Sequence, residues 1–328
     1  MRTRTSQKII AQLKKQGQMS PKLLAEYLEI SPQALFRQLK KLRDKGQIEK
    51  IGHSPRVFYT LQQEEAGYNQ PLKNLLLSPE ESRVIEENFM LITPLGQIKT
   101  GLEGFIHWCH SRKQEAQKTA KEYLKTWKKY ERLKKNGVIN GLKKAKKTFE
   151  HIGLDKLFYL DFYSIERFGK TKLGQMLLYA KQSQNKAFIK QLITSIKPKM
   201  QTLIKRHKID GVCFIPPTVK RQVQLMNELK RKLKLAPKIL NIEKINTMIP
   251  IPQKTLNKLE DRIENASKTL VVTESGAYKT VLLIDDAVGS GATLNETAKQ
   301  LKGKGIAKKV IGLAITGSLK GFEVISEV

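Results

Sequence analysis

Apolar positions recur at helical spacing through the start of the chain. Ile9, Ile10 and Leu13 share one face of a predicted helix from Ser6 to Gln16, which Gly17 stops. Ser20 and Pro21 open a second helix, a hydroxyl N-cap followed by proline at the first helical position. Leu23, Leu24, Tyr27 and Leu28 supply its apolar face, and Ile30 follows. Ser31 and Pro32 repeat the start signal, and a third helix runs to about Lys45 on Leu35, Leu39 and Leu42 before Gly46. Two short strands, Ile48–Ile51 and Val57–Leu61, then flank His53–Arg56. Gln62 to Gln70 is a polar linker, with Gly67 inside it and Pro71 after it.

The middle of the chain is less regular. Ser78 and Pro79, with Glu80 and Glu81 behind them, mark a helix start. Phe89–Ile92 is a short apolar run before a turn at Pro94–Gly96, and Gly104–Cys109 is an apolar cluster. His107, Cys109 and His110 have no second ligand pair in sequence, so they read as core and not as a metal site. Lys113 to Lys135 is a long basic helix with a partial apolar stripe of Ala116, Tyr123, Leu124, Trp127, Tyr130 and Leu133. Gly141 to Phe149 repeats the pattern. Residues 66–155 therefore read as a helical, basic connector.

From Lys156 the pattern changes to short apolar runs alternating with helical segments. The runs are Leu157–Tyr163, Gly211–Ile215, Lys238–Ile242, Thr280–Ile284 and Lys309–Thr316. Leu173–Ala180, Ala187–Ile196 and Gln222–Leu233 read as the helices between them. Such alternation predicts an α/β domain with a parallel sheet over 156–328, whose ligands bind at the carboxyl ends of the strands. Val281–Ile284 is followed by two adjacent carboxylates, Asp285 and Asp286. Then comes a small-residue loop, Ala287, Val288, Gly289, Ser290, Gly291, Ala292 and Thr293, and a helix from Leu294 to Leu301. Strand, glycine loop and helix N-terminus together make an anion site, because backbone N–H groups converge there and the helix dipole favours negative charge. Ser290 and Thr293 add hydroxyl donors.

Three helices and a hairpin within residues 1–65 resemble a winged helix-turn-helix domain, an α+β unit that inserts its third helix into the major groove of double-stranded DNA. Gln33 and Arg37 lie off the apolar stripe and are the candidates for base edges. Ser31, Lys40, Lys41, His53 and Arg56 suit phosphate. Thirteen Lys/Arg against six Asp/Glu between Met1 and Glu65 favour DNA over a protein partner.

The run from Val281 to Thr293 resembles the phosphoribosyl pyrophosphate (PRPP) motif of type I phosphoribosyltransferases. The resemblance implies that Asp285 and Asp286 hold the ribose hydroxyls, and Mg²⁺ directly or indirectly, while residues 287–293 cradle the 5′-phosphate. Tyr163–Phe168, the loop from Pro216 to Arg221 with Asn227 after it, and Gln253–Leu256 followed by Arg262 and Asn265 look like the ComF branch of that family. Pro217 and Thr218 would then line the pyrophosphate side, and Lys220 and Arg221 would neutralise the leaving group. The sequence departs from the branch where Gln224, Leu225 and Met226 stand in place of Arg-Gly-Phe, and where the winged helix replaces an amino-terminal cysteine module. The pairing of winged helix with this domain is similar to purine repressors, which do not catalyse.

Net charge sharpens this reading. The formal charge is +31 and the pI about 10.0, so a polyanion is the expected partner, unless the lysine excess is simply a general bias of the chain. Two distant cysteines, Cys109 and Cys213, fit a reducing cytoplasm. No stretch is apolar enough for a membrane span, and Met1–Ser6 is not of signal-peptide type. The expected protein is a DNA-binding regulator, a homodimer by analogy with other winged helices, that senses PRPP or a nucleotide. A Mg²⁺-dependent salvage transferase and a ComF-like role in DNA uptake are the alternatives.

Overall fold

The computed structural model describes residues 5–62, 75–245 and 247–318, apart from the side chains of His53 and Lys254. Residues 63–74, which include all of the expected linker but Gln62, lie outside the described residues. The chain forms two compact units, one built on residues 5–62 and one on 75–92 with 98–318.

The first unit contains α1 (Thr5–Gln16), β1 (Gln18–Met19), α2 (Pro21–Leu28), α3 (Pro32–Asp44), β2 (Ile48–His53) and β3 (Arg56–Leu61). The Ser20 and Ser31 hydroxyls each accept a hydrogen bond at 3.3 Å from the N–H three residues on, and Pro21 and Pro32 fill the first turns. Ile9, Leu13, Leu24, Leu35, Leu39, Leu42, Ile48 and Tyr59 form its core. The strands pair antiparallel in the order β1-β3-β2, with Ile48 opposite Leu61 and His53 opposite Arg56. The hairpin strands are thus longer than their apolar runs. The two-residue β1 was not anticipated, since a segment that short shows no alternation; its pairing of Gln18 with Thr60 defines it.

The second unit holds α4 (Pro79–Asn88), β4 (Met90–Ile92), β5 (Ile98–Thr100), α5 (Gly101–Ser111), α6 (Ala116–Glu131), β6 (Lys134–Lys135), β7 (Val138–Asn140) and α7 (Leu142–Thr148). Next come β8 (Lys156–Phe162), α8 (Lys172–Ser183), α9 (Lys186–His207), β9 (Gly211–Phe214), α10 (Leu225–Leu233) and β10 (Lys238–Ile239). The chain closes with β11 (Ile242–Lys244), α11 (Leu259–Thr269), β12 (Leu270–Val272), β13 (Tyr278–Val288), α12 (Ala292–Gly303) and β14 (Ala307–Gly317).

Its seven-stranded sheet has the order β10-β9-β13-β14-β8-β7-β6. The first five strands are mutually parallel, and β7 and β6 add an antiparallel edge. One face packs against α8, α9 and α10 through Leu160, Val212, Leu282, Ile284 and Leu313. The other packs against α12 and α4–α7 through Leu157, Cys213, Val281, Leu283 and Val310. Strands buried on both faces explain the continuous apolar runs of the sequence.

Two expectations need correction. Residues 75–92 and 98–155 are part of the α/β unit and not a separate connector. Phe89, Phe105, Trp108, Tyr123 and Phe168 form one aromatic cluster, with centroid separations from 5.2 Å (Phe89–Phe105) to 6.3 Å (Phe89–Trp108), and β6 and β7 extend the sheet. The run Lys238–Ile242 is also not one strand. Only β10 pairs with β9; β11 leaves to pair antiparallel with β12.

Among the described residues no helix is long and apolar enough to cross a membrane. Cys109 and Cys213 are free and buried, and burial pushes both thiols up to about 12, so neither is a nucleophile. His107 is buried in the core, and among the described residues no group of three or more His, Cys, Asp or Glu side chains gathers in a metal-binding arrangement.

Candidate functional site

The order of strands creates a crevice. From β9 the chain turns to β10 on one side through α10, and from β13 it turns to β14 on the other side through α12. Adjacent strands whose connections diverge leave an opening at their carboxyl ends. The last bond between them runs from the Ile215 N–H to the Ile284 carbonyl at 2.9 Å, while β13 continues to Val288 alongside β14. Asp285 and Asp286 therefore lie within β13, beyond the end of β9, and not after the strand as the apolar run suggests.

Successive residues of a strand face opposite ways. Leu282 and Ile284 belong to the α8–α10 side, and Asp286 continues that series to meet Lys181 on α8, with Nζ to Oδ2 at 2.6 Å. Asp285 Oδ1 accepts a hydrogen bond from the Asp286 N–H at 2.8 Å. Burial, with the charge of Asp286 second, pushes the Asp285 carboxyl up to about 7.

The loop behind the acids is shaped by glycine. Gly291 is the N-cap of α12 with φ +86°, a conformation that costs any residue with a Cβ. The Ala292 N–H is taken by Ser290 Oγ at 3.3 Å. Asn295 fixes the helix in place, its Oδ1 accepting from the Gly153 N–H at 2.8 Å. Over Gly289 stands Arg262, with Nη1 3.6 Å from where a Cβ would be.

All of this opens on one cavity of about 600 Å³. Pro217, Thr218 and Arg221 line it from the loop after β9, and Asp285 to Thr293 line it from β13 and α12. Lys181, Lys244 and Arg262 complete the wall. Lys220 is exposed and is not among the lining residues. Arg221 points its guanidinium at the Lys181 carbonyl, and Gln224 Nε2 donates to the Val219 carbonyl at 2.8 Å, which closes the loop on itself. The helix expected from Gln222 begins only at Leu225 for that reason.

The ribbon of β11 and β12 with α11 forms a second wall. Gln253 Nε2 donates to the Arg262 carbonyl at 3.0 Å and to Asn265 Oδ1 at 3.1 Å, and Arg262 Nε donates to the Leu256 carbonyl at 2.7 Å. Gln253, Leu256, Arg262 and Asn265, four of the residues that carry the ComF resemblance in this segment, are thus one hydrogen-bonded cluster. Lys244 Nζ contacts Asn265 Oδ1 at 3.3 Å and also Thr269 Oγ1. Burial draws both Lys244 and Arg262 below their ordinary values, and an anion in the cavity would reverse that.

Lys181 and Lys244 were not legible as site residues. The sequence ends α8 at Ala180, and a lysine in a last turn is ordinary. Lys244 sat next to a run read as a sheet strand.

On α3, Gln33, Phe36, Arg37 and Lys40 are all exposed and fall within one arc of the helix, at about 100° per residue, opposite Leu35, Leu39 and Leu42. Ser31 and Lys41, next to them in the sequence, and Arg56 at the start of β3 are also exposed. The side chain of His53 lies outside the described residues. Residues 2–49 match the winged helix-turn-helix DNA-binding family. The N-terminal unit is a DNA-binding domain. No curated protein matches the chain.

Proposed function

We propose that the chain is a DNA-binding regulator whose α/β unit binds PRPP or a nucleotide bearing the same ribose 5-phosphate. The observation that carries this is the convergence of Asp285, Asp286 and the glycine loop capping α12 on a cavity walled by Lys181, Arg221, Lys244 and Arg262. In this reading the unit is a type I phosphoribosyltransferase fold of ComF type. The 5′-phosphate sits at Gly289–Thr293 on the N–H groups of α12. The ribose hydroxyls donate to the acids, and the pyrophosphate meets the cations. Among the described residues Asp285 and Asp286 are the two carboxylates that line the cavity, which fits Mg²⁺ held largely by ligand oxygens and water, with these acids as its protein side. Bound so, Mg²⁺ would neutralise pyrophosphate charge.

Sensing is preferred to turnover because of the loop after β9. The family resemblance gives neutralisation of the leaving group to the two cations of that loop, beyond the cavity cations that only bind the ligand. Lys220 is exposed, and Arg221 is engaged with a backbone carbonyl. The winged helix would act as a homodimer on paired half-sites.

The test is DNA affinity measured by anisotropy with and without PRPP. The expected change is at least fivefold, the lower end of ordinary allosteric coupling. Equal affinity would overturn the regulator reading, and PRPP-dependent pyrophosphate release with any base would replace it by the transferase.

A further inference from the structure

The α6 helix carries a feature that neither the winged helix nor the cavity uses. Lys118, Lys121, Lys125, Lys128 and Arg132 recur at intervals of three and four residues and are all exposed. At about 100° per residue they fall within an arc of about 80°. Thr119, Ala120, Tyr123 and Tyr130 are buried on the opposite side. Arg132 is the C-cap and keeps helical dihedrals, φ −60° and ψ −21°, so the row is continuous. It is about 21 Å long at about 1.5 Å per residue.

The acids near this row are already engaged, and among the described residues the row itself has no counter-charge. Lys129 pairs with Glu166 at 2.6 Å, and Lys134 with Glu131 at 2.9 Å and Asp161 at 3.0 Å. Glu122, the acid nearest the row on the helix, is taken by Arg167. Glu115 caps the N–H groups of Gln117 and Lys118. Among the described residues the five cations of the row have no ion-pair partner. Five like charges along one helix face repel one another, and a row of phosphates would relieve that repulsion.

We infer that the exposed face of α6 is a second nucleic-acid contact, on the α/β unit, that binds the phosphate backbone of duplex DNA without reading sequence. A row of about 21 Å spans on the order of six phosphates of one strand, at about 3.4 Å of axis each. The winged helix of the same chain holds the α/β unit near DNA, which raises the effective concentration of duplex at α6. The inference rests on DNA binding by the winged helix and not on the ligand of the cavity.

The test uses the full chain and a duplex of arbitrary sequence, with affinity measured across salt concentration. Neutralised phosphate contacts appear in the slope of log K against log salt, at about 0.9 per contact. The variant K118Q/K121Q/K125Q/K128Q/R132Q should lower that slope by about 3 to 4 and weaken binding at least tenfold, with unchanged thermal unfolding. Replacing the four lysines by arginine should keep the slope. Neutralising four exposed lysines of α9 (Lys186, Lys190, Lys199 and Lys205) together with Lys208 at its C-cap should instead change it by less than one. An unchanged slope in the α6 variant, or an equal drop in the α9 control, overturns the inference. So does loss of binding to anionic-lipid vesicles with the DNA slope intact. A wild-type chain that binds no DNA would overturn the DNA-binding reading along with it.

Discussion

Lys181 Nζ lies 2.6 Å from Asp286 Oδ2 and ties α8 to the carboxyl end of β13. Both side chains are mostly buried, so the pair neutralises one of two adjacent carboxylates at the mouth of an otherwise cationic cavity. Replacing Lys181 with Met leaves Asp286 beside Asp285 with no counter-charge. We expect a loss of about 2 kcal/mol in stability, read by chemical unfolding. We also expect at least tenfold weaker PRPP binding by calorimetry, because the cation facing the ligand is gone.

Asp285 gives a pH dependence with a definite sign. Its carboxyl is raised from an ordinary value of about 3.9 to about 7 in the folded protein, so the folded state binds more protons over that window. Its contribution to stability is full below pH 4, falls as pH rises towards 7, and is lost above. Asp285→Asn should flatten the stability profile between those limits, measured by urea unfolding at stepped pH. Ligand affinity should run the other way and rise through pH 7, since the ionised carboxylate is the better acceptor for hydroxyl donors and Mg²⁺.

The glycine loop separates two effects. Gly291→Ala forces a Cβ into φ +86°, and we expect a cost of about 1 to 2 kcal/mol from the backbone alone, since the new Cβ would lie 3.7 Å from Phe149 in ordinary contact. Gly289→Ala meets only Arg262 Nη1 at 3.6 Å and should leave stability nearly unchanged. It should still weaken binding of ribose 5-phosphate, because the methyl group occupies the space next to the loop's N–H groups. Thermal shift and calorimetry on the two variants check this.

On the winged helix, Arg37→Ala should cost about 1 to 3 kcal/mol and relax preference at one base pair of a selected site. Lys41→Ala should weaken binding to all sequences alike and lower the salt slope by about one. Anisotropy titrations on matched and mismatched duplexes distinguish the two.

What the sequence made legible was local. Ser20–Pro21 and Ser31–Pro32 announce two helices because capping is decided within four residues. Val281 to Thr293 announces a strand, a glycine loop and a helix start because the three are contiguous, and the phosphate site proposed there rests on that run. The cations that complete the site are not contiguous with it. Lys181, Lys244 and Arg262 arrive from three elements, and only folding brings them to one cavity. Residues 75–92 and 98–155 show no sheet-domain pattern in sequence because frequent lysines break up their periodicity, while Phe89, Phe105, Trp108 and Tyr123 find one another only in the tertiary structure. The sequence sets the two acids after the strand because apolar character stops at Ile284, whereas the strand's pairing with β14 does not.

We propose above that the cavity at the end of β13 binds a 5-phosphoribosyl ligand through Asp285, Asp286 and the loop that follows them. Isothermal titration of PRPP with Mg²⁺ into the full chain tests it most directly, with Asp285→Asn/Asp286→Asn alongside. We expect saturable one-site binding to the wild type and its loss in the variant, with both proteins equally folded by circular dichroism. No binding to the wild type, or equal binding to both, would contradict it.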